Sequence, residues 1–442
     1  MALHIHWRTT MRTVTLLIGI GLLAGAWAQR PSPAPPQARS ILVKGGTVHV
    51  GDGKTYAEGA VGFRDGTIDF VGYGYAVQSA YDTVVDATGM HVYPGFILPD
   101  ATLGLVEIDA VRASADERET GSLEPEVRAL SAYNADSRII PTVRGNGVLL
   151  AQIAPRGNTL SGTSGIVQLD AWNNTEAVVR ADDGIHLNWP RAFARTGWWA
   201  ERGSTEKEQE DRRAKALVDI RTFFLRARAY AASPAPPKVD LRMEAMRGIF
   251  HGGKVLFVHA DAAREIQEAV LFAREMGVKR TVLVGGYDAW RVADLLRDKQ
   301  VDVILRRLHS LPQREDEDID LPYRLPALLR ERGIRFCLGY SGDMERMGAR
   351  NLGFLAGTAS AYGLSAGDAL RAITLDAAAI LGIADRYGSL EPGKSATLFI
   401  STGDALDMRG NHVVRAYIDG RAISLDDRQK RLWRQYEERY GQ

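Results

Sequence analysis

Three histidines stand where an imidazole could do chemistry. His309 lies in Arg306-Arg307-Leu308-His309-Ser310-Leu311-Pro312, just after the apolar run Val301–Leu305. With Arg306 or Arg307 it could hold an anionic ligand; the same groups could equally serve to pack a loop. His186 stands in Asp183-Gly184-Ile185-His186-Leu187-Asn188-Trp189-Pro190. It could line a substrate pocket with Trp189, while a loop held by Trp189 and Pro190 is the plainer account. His259 closes the run Val255-Leu256-Phe257-Val258, which places an imidazole at the end of a strand. A lone histidine there is more often a hydrogen-bonded structural group than a ligand. The chain has no Gly-x-Ser-x-Gly elbow, no Cys/His nucleophile pair, no phosphate-binding loop and no basic-aromatic patch for nucleic acid.

The elements that position these residues follow from the apolar rhythm. Between Ser40 and Val92, short alternating runs are split by glycines, and Asp65-Gly66 predicts a hairpin turn. This is a small β-unit. From Phe96 to about Leu381, strand-length apolar runs alternate with helical patterns. Val255–Val258 precedes a helix expected over 261–276, Thr281–Val284 precedes one over 289–296, and Val301–Leu305 precedes one over 322–332. Ile334–Leu338 is the last such run. Alternation of this length predicts a parallel sheet, either a barrel or doubly wound. Ser365 and Asp368 form a capping box for a helix carrying Leu370 and Ile373. Val413–Ile418 followed by Asp419-Gly420 predicts a closing hairpin. Over 426–442 a terminal helix spaces Leu432, Tyr436 and Tyr440 by four, a stripe expected to pack on its own domain.

With 442 residues the chain can bury a large core, and 45% hydrophobic against 25% charged residues is an ordinary globular balance. Fifty-five basic against 54 acidic residues leave no global field to draw in nucleic acid or an anionic membrane. Arg8 and Arg12, the apolar run Val14–Ala26 and the small-x-small site Ala26-Trp27-Ala28 predict a signal peptide over 1–28, cleaved after Ala28. The run is short for a span of about 20 residues, so a secreted or periplasmic protein without stable membrane insertion is expected. Residues 29–39, rich in proline, predict an extended linker. Cys337 is the only cysteine; inside Phe336-Cys337-Leu338 it should be a buried, inert thiol.

One stretch carries a resemblance. Val92–Leu105 reads Val-Tyr-Pro-Gly-Phe-Ile-Leu-Pro-Asp-Ala-Thr-Leu-Gly-Leu. It resembles the first barrel strand of the amidohydrolase superfamily, where Pro-Gly-Phe-Ile-Asp precedes a His-x-His metal pair. Ala154-Pro155-Arg156-Gly157-Asn158, Leu160-Ser161-Gly162, Tyr362-Gly363-Leu364-Ser365 and the return Gly388-Ser389-Leu390-Glu391-Pro392-Gly393 fit the same pattern, in its imidazolonepropionase-like branch. The resemblance implies a (β/α)8 TIM-like barrel over 94–384, with a small β-sandwich built from 40–93 and 385–425.

It also implies a divalent metal at the C-terminal mouth of the barrel. Asp100 and Thr102 stand at the two first-strand histidine positions, and no lysine lies between Lys54 and Lys207 to bridge two metals. His259 fills the fifth-strand position. The sixth strand ends in Gly285-Gly286, and Ser341 stands at the position of the catalytic acid, with Asp343 two residues on. One reading is an exported pseudoenzyme without cofactor, which binds a small molecule or serves as a partner subunit, as a homodimer or beside an intact amidohydrolase paralogue. The alternative is an active hydrolase of non-peptide or small peptide-like C–N bonds with one zinc-like ion. In that case Asp100 and His259 are ligands, Asp343 is a ligand or the general base, and His309, Arg306 and His186 contact substrate.

Overall fold

A computed structural model describes residues 32–193, 205–236, 238–342 and 345–441. The chain divides into Met1–Ser32, of which only Ser32 is described, and Pro33–Gln442, which holds every element named below. The expected signal peptide therefore lies outside the described residues. Among those described, no helix is long and apolar enough to cross a membrane.

The first sheet joins the two ends of the chain. It contains β1 (Ile41–His49), β2 (Thr55–Arg64), β3 (Thr67–Tyr73), β4 (Thr83–Asp86) and β5 (His91–Pro94) from the N-terminal side. The C-terminal side adds β14 (Leu398–Ser401), β15 (Val413–Ile418) and β16 (Arg421–Ala422), in the order β16-β15-β14-β5-β1-β2-β3 with β4 also paired to β1. Both hairpins expected from Asp-Gly pairs form. Asp65 and Gly66 have φ of 49° and 76°, and Asp419 and Gly420 have 47° and 73°. Left-handed backbone at both central residues matches the twist of the flanking strands. Val43, Val61, Phe63, Val92, Leu398 and Tyr417 fill the core beneath this sheet.

The second sheet is a nearly closed barrel of β6 (Phe96–Ala101), β7 (Val148–Ile153), β8 (Leu160–Gln168), β9 (Val178–Asn188), β10 (Val255–Ala260), β11 (Thr281–Gly285), β12 (Asp302–Leu305) and β13 (Phe336–Leu338), paired in chain order. It departs from strict (β/α)8 alternation at one strand: β8 runs antiparallel to both β7 and β9. A parallel neighbour needs a crossover of about a dozen residues or more, and only residues 154–159 link β7 to β8. Alternate residues of the strands, including Ile97, Leu150, Ile166, Phe257, Val284, Ile304 and Cys337, fill the barrel interior. Burial pushes the Cys337 thiol well above its usual pKa, which keeps it protonated.

Helices α1 (Glu206–Ala232), α2 (Leu241–His251), α3 (Ala263–Glu275) and α4 (Leu321–Glu331) are among those that follow the barrel strands. Thr205 caps α1 in a capping box with Glu208. Ser365 caps the helix Ala366–Ala372, accepting from Asp368 N at 3.1 Å, where the sequence placed it. The segment after Pro33 is fastened along its length. Ala34 N donates to Asp170 Oδ2 at 2.8 Å, and Gln37 Oε1 accepts from Gly66 N at 2.7 Å. The terminal helix α5 (Arg428–Tyr440) corrects an expectation. Among the described residues its aromatic stripe is left exposed rather than packed on its own domain, and none of its residues is buried.

Candidate functional site

Parallel strands deliver side chains to one rim of a barrel, here the C-terminal ends of β6, β9 and β10. Asp100 near the end of β6, His186 near the end of β9 and His259 on β10 meet there. One ligand atom from each lies within 4.8 Å of the others. Asp100 and His186 are buried, with exposures of 1% and 0%. His259 faces a cleft of about 590 Å3, lined also by Arg118, Arg156, Ser161, Asn188 and Arg346.

Asp100 is held from several sides. Its φ of 49° is left-handed, and its backbone N–H donates to Gln152 Oε1 at 3.1 Å. Gln152 is itself anchored, donating to the buried carboxylate of Asp183 at 2.7 Å. Arg156 then clamps the end of the strand: Nη1 donates to Asp100 Oδ1 at 2.8 Å and Nη2 to the Asp100 carbonyl at 2.8 Å. The second Arg156 edge reaches Glu345 Oε2 at 3.1 Å. Burial alone would raise the pKa of Asp100. The neighbouring Arg156, with smaller contributions from the histidines and Arg306, instead holds it far below the usual carboxylate range.

The two histidines form a directed chain. Arg306 Nη2 lies 3.1 Å from His259 Nδ1, and His259 Nε2 lies 2.9 Å from His186 Nδ1. A guanidinium can only donate, so His259 Nδ1 accepts. The neutral ring then carries its hydrogen on Nε2 and donates it to His186, whose own hydrogen is on Nε2. That His186 nitrogen is buried and has no partner among the described residues. Burial lowers the pKa of His186 to about 4 and that of His259 well below its ordinary value, so both rings are neutral at pH 7.

The residue types at this rim suit a divalent ion, since two neutral imidazoles and a carboxylate are good ligands. The hydrogen bonding does not fit one. A metal bound between the facing nitrogens needs the lone pair of His259 Nε2, and the Arg306 contact puts a hydrogen there. The 2.9 Å between the facing ring nitrogens is a hydrogen-bond distance, shorter than the ~3.3 Å between ligand atoms of a tetrahedral site with bonds near 2.05 Å. Asp100 Oδ1, 3.9 Å from His186 Nδ1, already accepts from a guanidinium.

The remaining positions of the expected metal site are filled by other contacts. Thr102 uses its N–H, at 3.0 Å, and its hydroxyl to hold Glu345, and its Oγ1 accepts from Arg346 at 3.0 Å. Glu345 also accepts from Gly342 N at 3.0 Å, so its carboxylate is committed on both oxygens. At the end of β11, a side chain on Gly285 (φ 104°) would collide with Asp261 Oδ1. Asp261, which accepts from Arg306 Nη1 at 2.9 Å, fills the sixth-strand ligand's space.

Of the residues singled out in the sequence, the structure brings together Asp100, His186, His259 and Arg306. His309 is placed elsewhere, donating from Nε2 to Thr358 Oγ1 at 2.7 Å on the helix Leu352–Ala361 and standing edge-on to Tyr323. Asp343 lies outside the described residues. Arg156, Glu345 and Gln152 were not singled out as functional. Only Arg156 carried a signal, as part of the Ala154–Asn158 pattern.

Residues 323–423 match the Amidohydrolase family. The chain is similar in structure to an amidohydrolase from Thermotoga maritima, at 26% identity and a TM-score of 0.76, over 87% of this chain and 99% of that one. A putative prolidase from Bifidobacterium longum shares the fold at 16% identity and a TM-score of 0.51, over 92% of this chain and 100% of that one. A Xaa-Pro dipeptidase crystallised with methionine in its active site does so at 14% identity and a TM-score of 0.51, over 87% and 100%. No curated protein matches the sequence.

Proposed function

Because this chain belongs to the amidohydrolase superfamily, a hydrolase-type fold is the starting point, and we propose that it is a member that binds a small polar molecule at its barrel mouth without metal-dependent hydrolysis. One observation carries this reading: Arg306 donates to His259 Nδ1 at 3.1 Å and so fixes the ring in the tautomer that cannot ligate between the two histidines. Arg156, on the Asp100 carboxylate at 2.8 Å, supplies positive charge where a metal would otherwise neutralise it. The cleft above offers arginine and carboxylate side chains together with Ser161 and Asn188, which suits a ligand carrying both donors and acceptors. The basic start, apolar run and Ala26-Trp27-Ala28 site support export to the periplasm or beyond.

A second reading is favoured by the grouping of Asp100, His186 and His259 within 4.8 Å. It holds that these three bind one divalent ion and that the protein hydrolyses carbon–nitrogen bonds. Elemental analysis of the mature chain, purified without chelator, separates the two. The metal-free reading expects far less than one equivalent of zinc, manganese, iron or cobalt. It also expects no turnover of cyclic amides, lactones or Xaa-Pro dipeptides with any of these metals added. One tightly held equivalent that disappears in Asp100→Ala would establish the second reading and end the first.

A further inference from the structure

Three successive turns at the N-terminal end of the barrel strands are built alike. Each passes through a left-handed residue, then a buried apolar one, and then delivers a charged one to the start of a strand. Gly277, Val278 and, after Lys279, Arg280 lead into β11; Gln300, Val301 and Asp302 into β12; Gly333, Ile334 and Arg335 into β13. The φ angles of Gly277, Gln300 and Gly333 are 82°, 51° and 69°. Val278, Val301 and Ile334 plug the bottom of the core, which leaves the charged residues at its edge. There Arg280, Asp302 and Arg335, with Arg297 and Gln300, line a cleft of about 570 Å3, a size that takes a small molecule. It lies at the opposite end of the strands from the histidines.

Cations outnumber anions in this cleft. Asp302 is the only acid among the described residues that line it, and it is shared between Arg335 Nε at 3.4 Å and Arg280 Nη2 at 3.7 Å. Arg297 is paired with Asp294. The flanking pairs Lys299–Asp298, at 2.7 Å, and Arg332–Glu331, at 3.8 Å, cancel. Asp376, whose charge also reaches Asp302, is held by Arg330 at 3.0 Å and Arg371 at 2.9 Å. Arg180 adds one more cation. A side chain on Gly382 would meet Arg180 Nη1 and Arg280 Nη1 together, so the two guanidiniums converge. Burial, with the like charges of Arg180 and Arg335 and against the pull of Asp302, holds Arg280 below its usual pKa. One nitrogen of Arg280 is fixed, with Nη2 donating to the carbonyls of Ala379 at 3.0 Å and Ile380 at 2.8 Å. Among the described residues, nothing accepts a hydrogen bond from Arg280 Nη1 or from either terminal nitrogen of Arg335. Guanidinium donors left open in this way match the oxygens of a phosphate group.

We propose that this cleft binds a small phosphate-bearing anion, inorganic phosphate or a phosphomonoester, with Arg280 and Arg335 donating to its oxygens. The site is separate from the histidine rim, so its test does not depend on whether a metal binds there. Calorimetric titration of the mature chain with sodium phosphate and with glycerol phosphate, at constant ionic strength, reads it directly. Each should bind at one equivalent, and sodium chloride should not reproduce the heat. Arg335→Gln should weaken both by about tenfold, with little change in melting temperature, since Arg335 is exposed. Asp302→Asn removes the competing carboxylate and should tighten both several-fold. Arg118→Gln, at the barrel mouth, should change neither. Absence of saturable binding overturns the proposal, as does an affinity indifferent to Arg335→Gln or weakened by Asp302→Asn. Loss of binding in Arg118→Gln would place the anion at the mouth and also overturn it. So would binding to vesicles of anionic lipid without binding of either free anion, which would assign these arginines to a membrane surface.

Discussion

Arg306 and His259 face each other across 3.1 Å, guanidinium nitrogen to ring Nδ1, on the opposite side of the imidazole from His186. The usual partner of a metal-bound histidine is an acceptor, which takes the hydrogen of the far ring nitrogen and leaves the near one free to ligate. Arg306 reverses that polarity. One donor in place of an acceptor therefore decides which way the hydrogens point through both rings.

Removing that donor should open the site. In Arg306→Ala, His259 is free to carry its hydrogen on Nδ1, and Asp261, 2.9 Å from the lost guanidinium, becomes an acceptor nearby. Zinc affinity measured by competition with a chromophoric chelator should rise about 10- to 100-fold over wild type, the range by which such outer partners tune metal sites. The gain should vanish when His259→Ala is added. An unchanged affinity in Arg306→Ala would show that something other than this contact excludes the ion.

Arg156 should matter for stability more than for any ligand. Its two edges neutralise Asp100, 1% exposed, and Glu345, 5% exposed. Arg156→Met keeps most of the side-chain volume but leaves two buried carboxylates without a cation. Breaking a buried pair in this way costs about 3–5 kcal/mol. Urea denaturation should show a loss of that order, with Arg156→Lys recovering part of it because one ammonium cannot reach both carboxylates as a fork does. A loss under about 1 kcal/mol would mean that the carboxylates are solvated or protonated rather than clamped.

The sequence revealed features whose cause is local. Asp65-Gly66 and Asp419-Gly420 announce left-handed turns because few other pairs adopt them. His259 is visible as the polar end of the run Val255–Val258. The clamp on Asp100 was not legible, because Arg156 is 56 residues from Asp100 and 189 from Glu345. Nothing in the composition of a polar loop reports a partner that far away. The reversal of β8 was hidden for a related reason. Its nine residues Leu-Ser-Gly-Thr-Ser-Gly-Ile-Val-Gln look polar, yet all are buried, and only the shortness of the 154–159 link betrays the direction. In α5 the spacing of Leu432, Tyr436 and Tyr440 gave the helix and its face. Periodicity reports that a face is apolar, not which molecule covers it.

Acid should weaken this fold before its carboxylates titrate. His186 is fully buried and neutral, with its pKa lowered by burial from 6.5 to about 4. Between those values the unfolded chain binds a proton that the folded chain does not, so stability must fall as pH drops through that window and level off for this group below about 4. Lowering the pKa from 6.5 to about 4 corresponds to about 3 kcal/mol, and His259, lowered for the same reason, acts in the same direction. Asp100 behaves differently. Burial works to raise its pKa, but Arg156 holds it below the ordinary 3.8, so its contribution is intact above that value and is lost only under more acid conditions. The limb between pH 6.5 and 4 therefore belongs mainly to the histidines. Urea midpoints measured at steps across that range should decline steeply for the wild type and less steeply for His186→Gln, which keeps the contributions of His259 and of His49, itself lowered by burial to about 4. Equal slopes for the two proteins, or a wild type that gains stability on acidification, would mean that His186 is already protonated in the folded state and that the direction of hydrogen bonding from Arg306 through His259 is wrong.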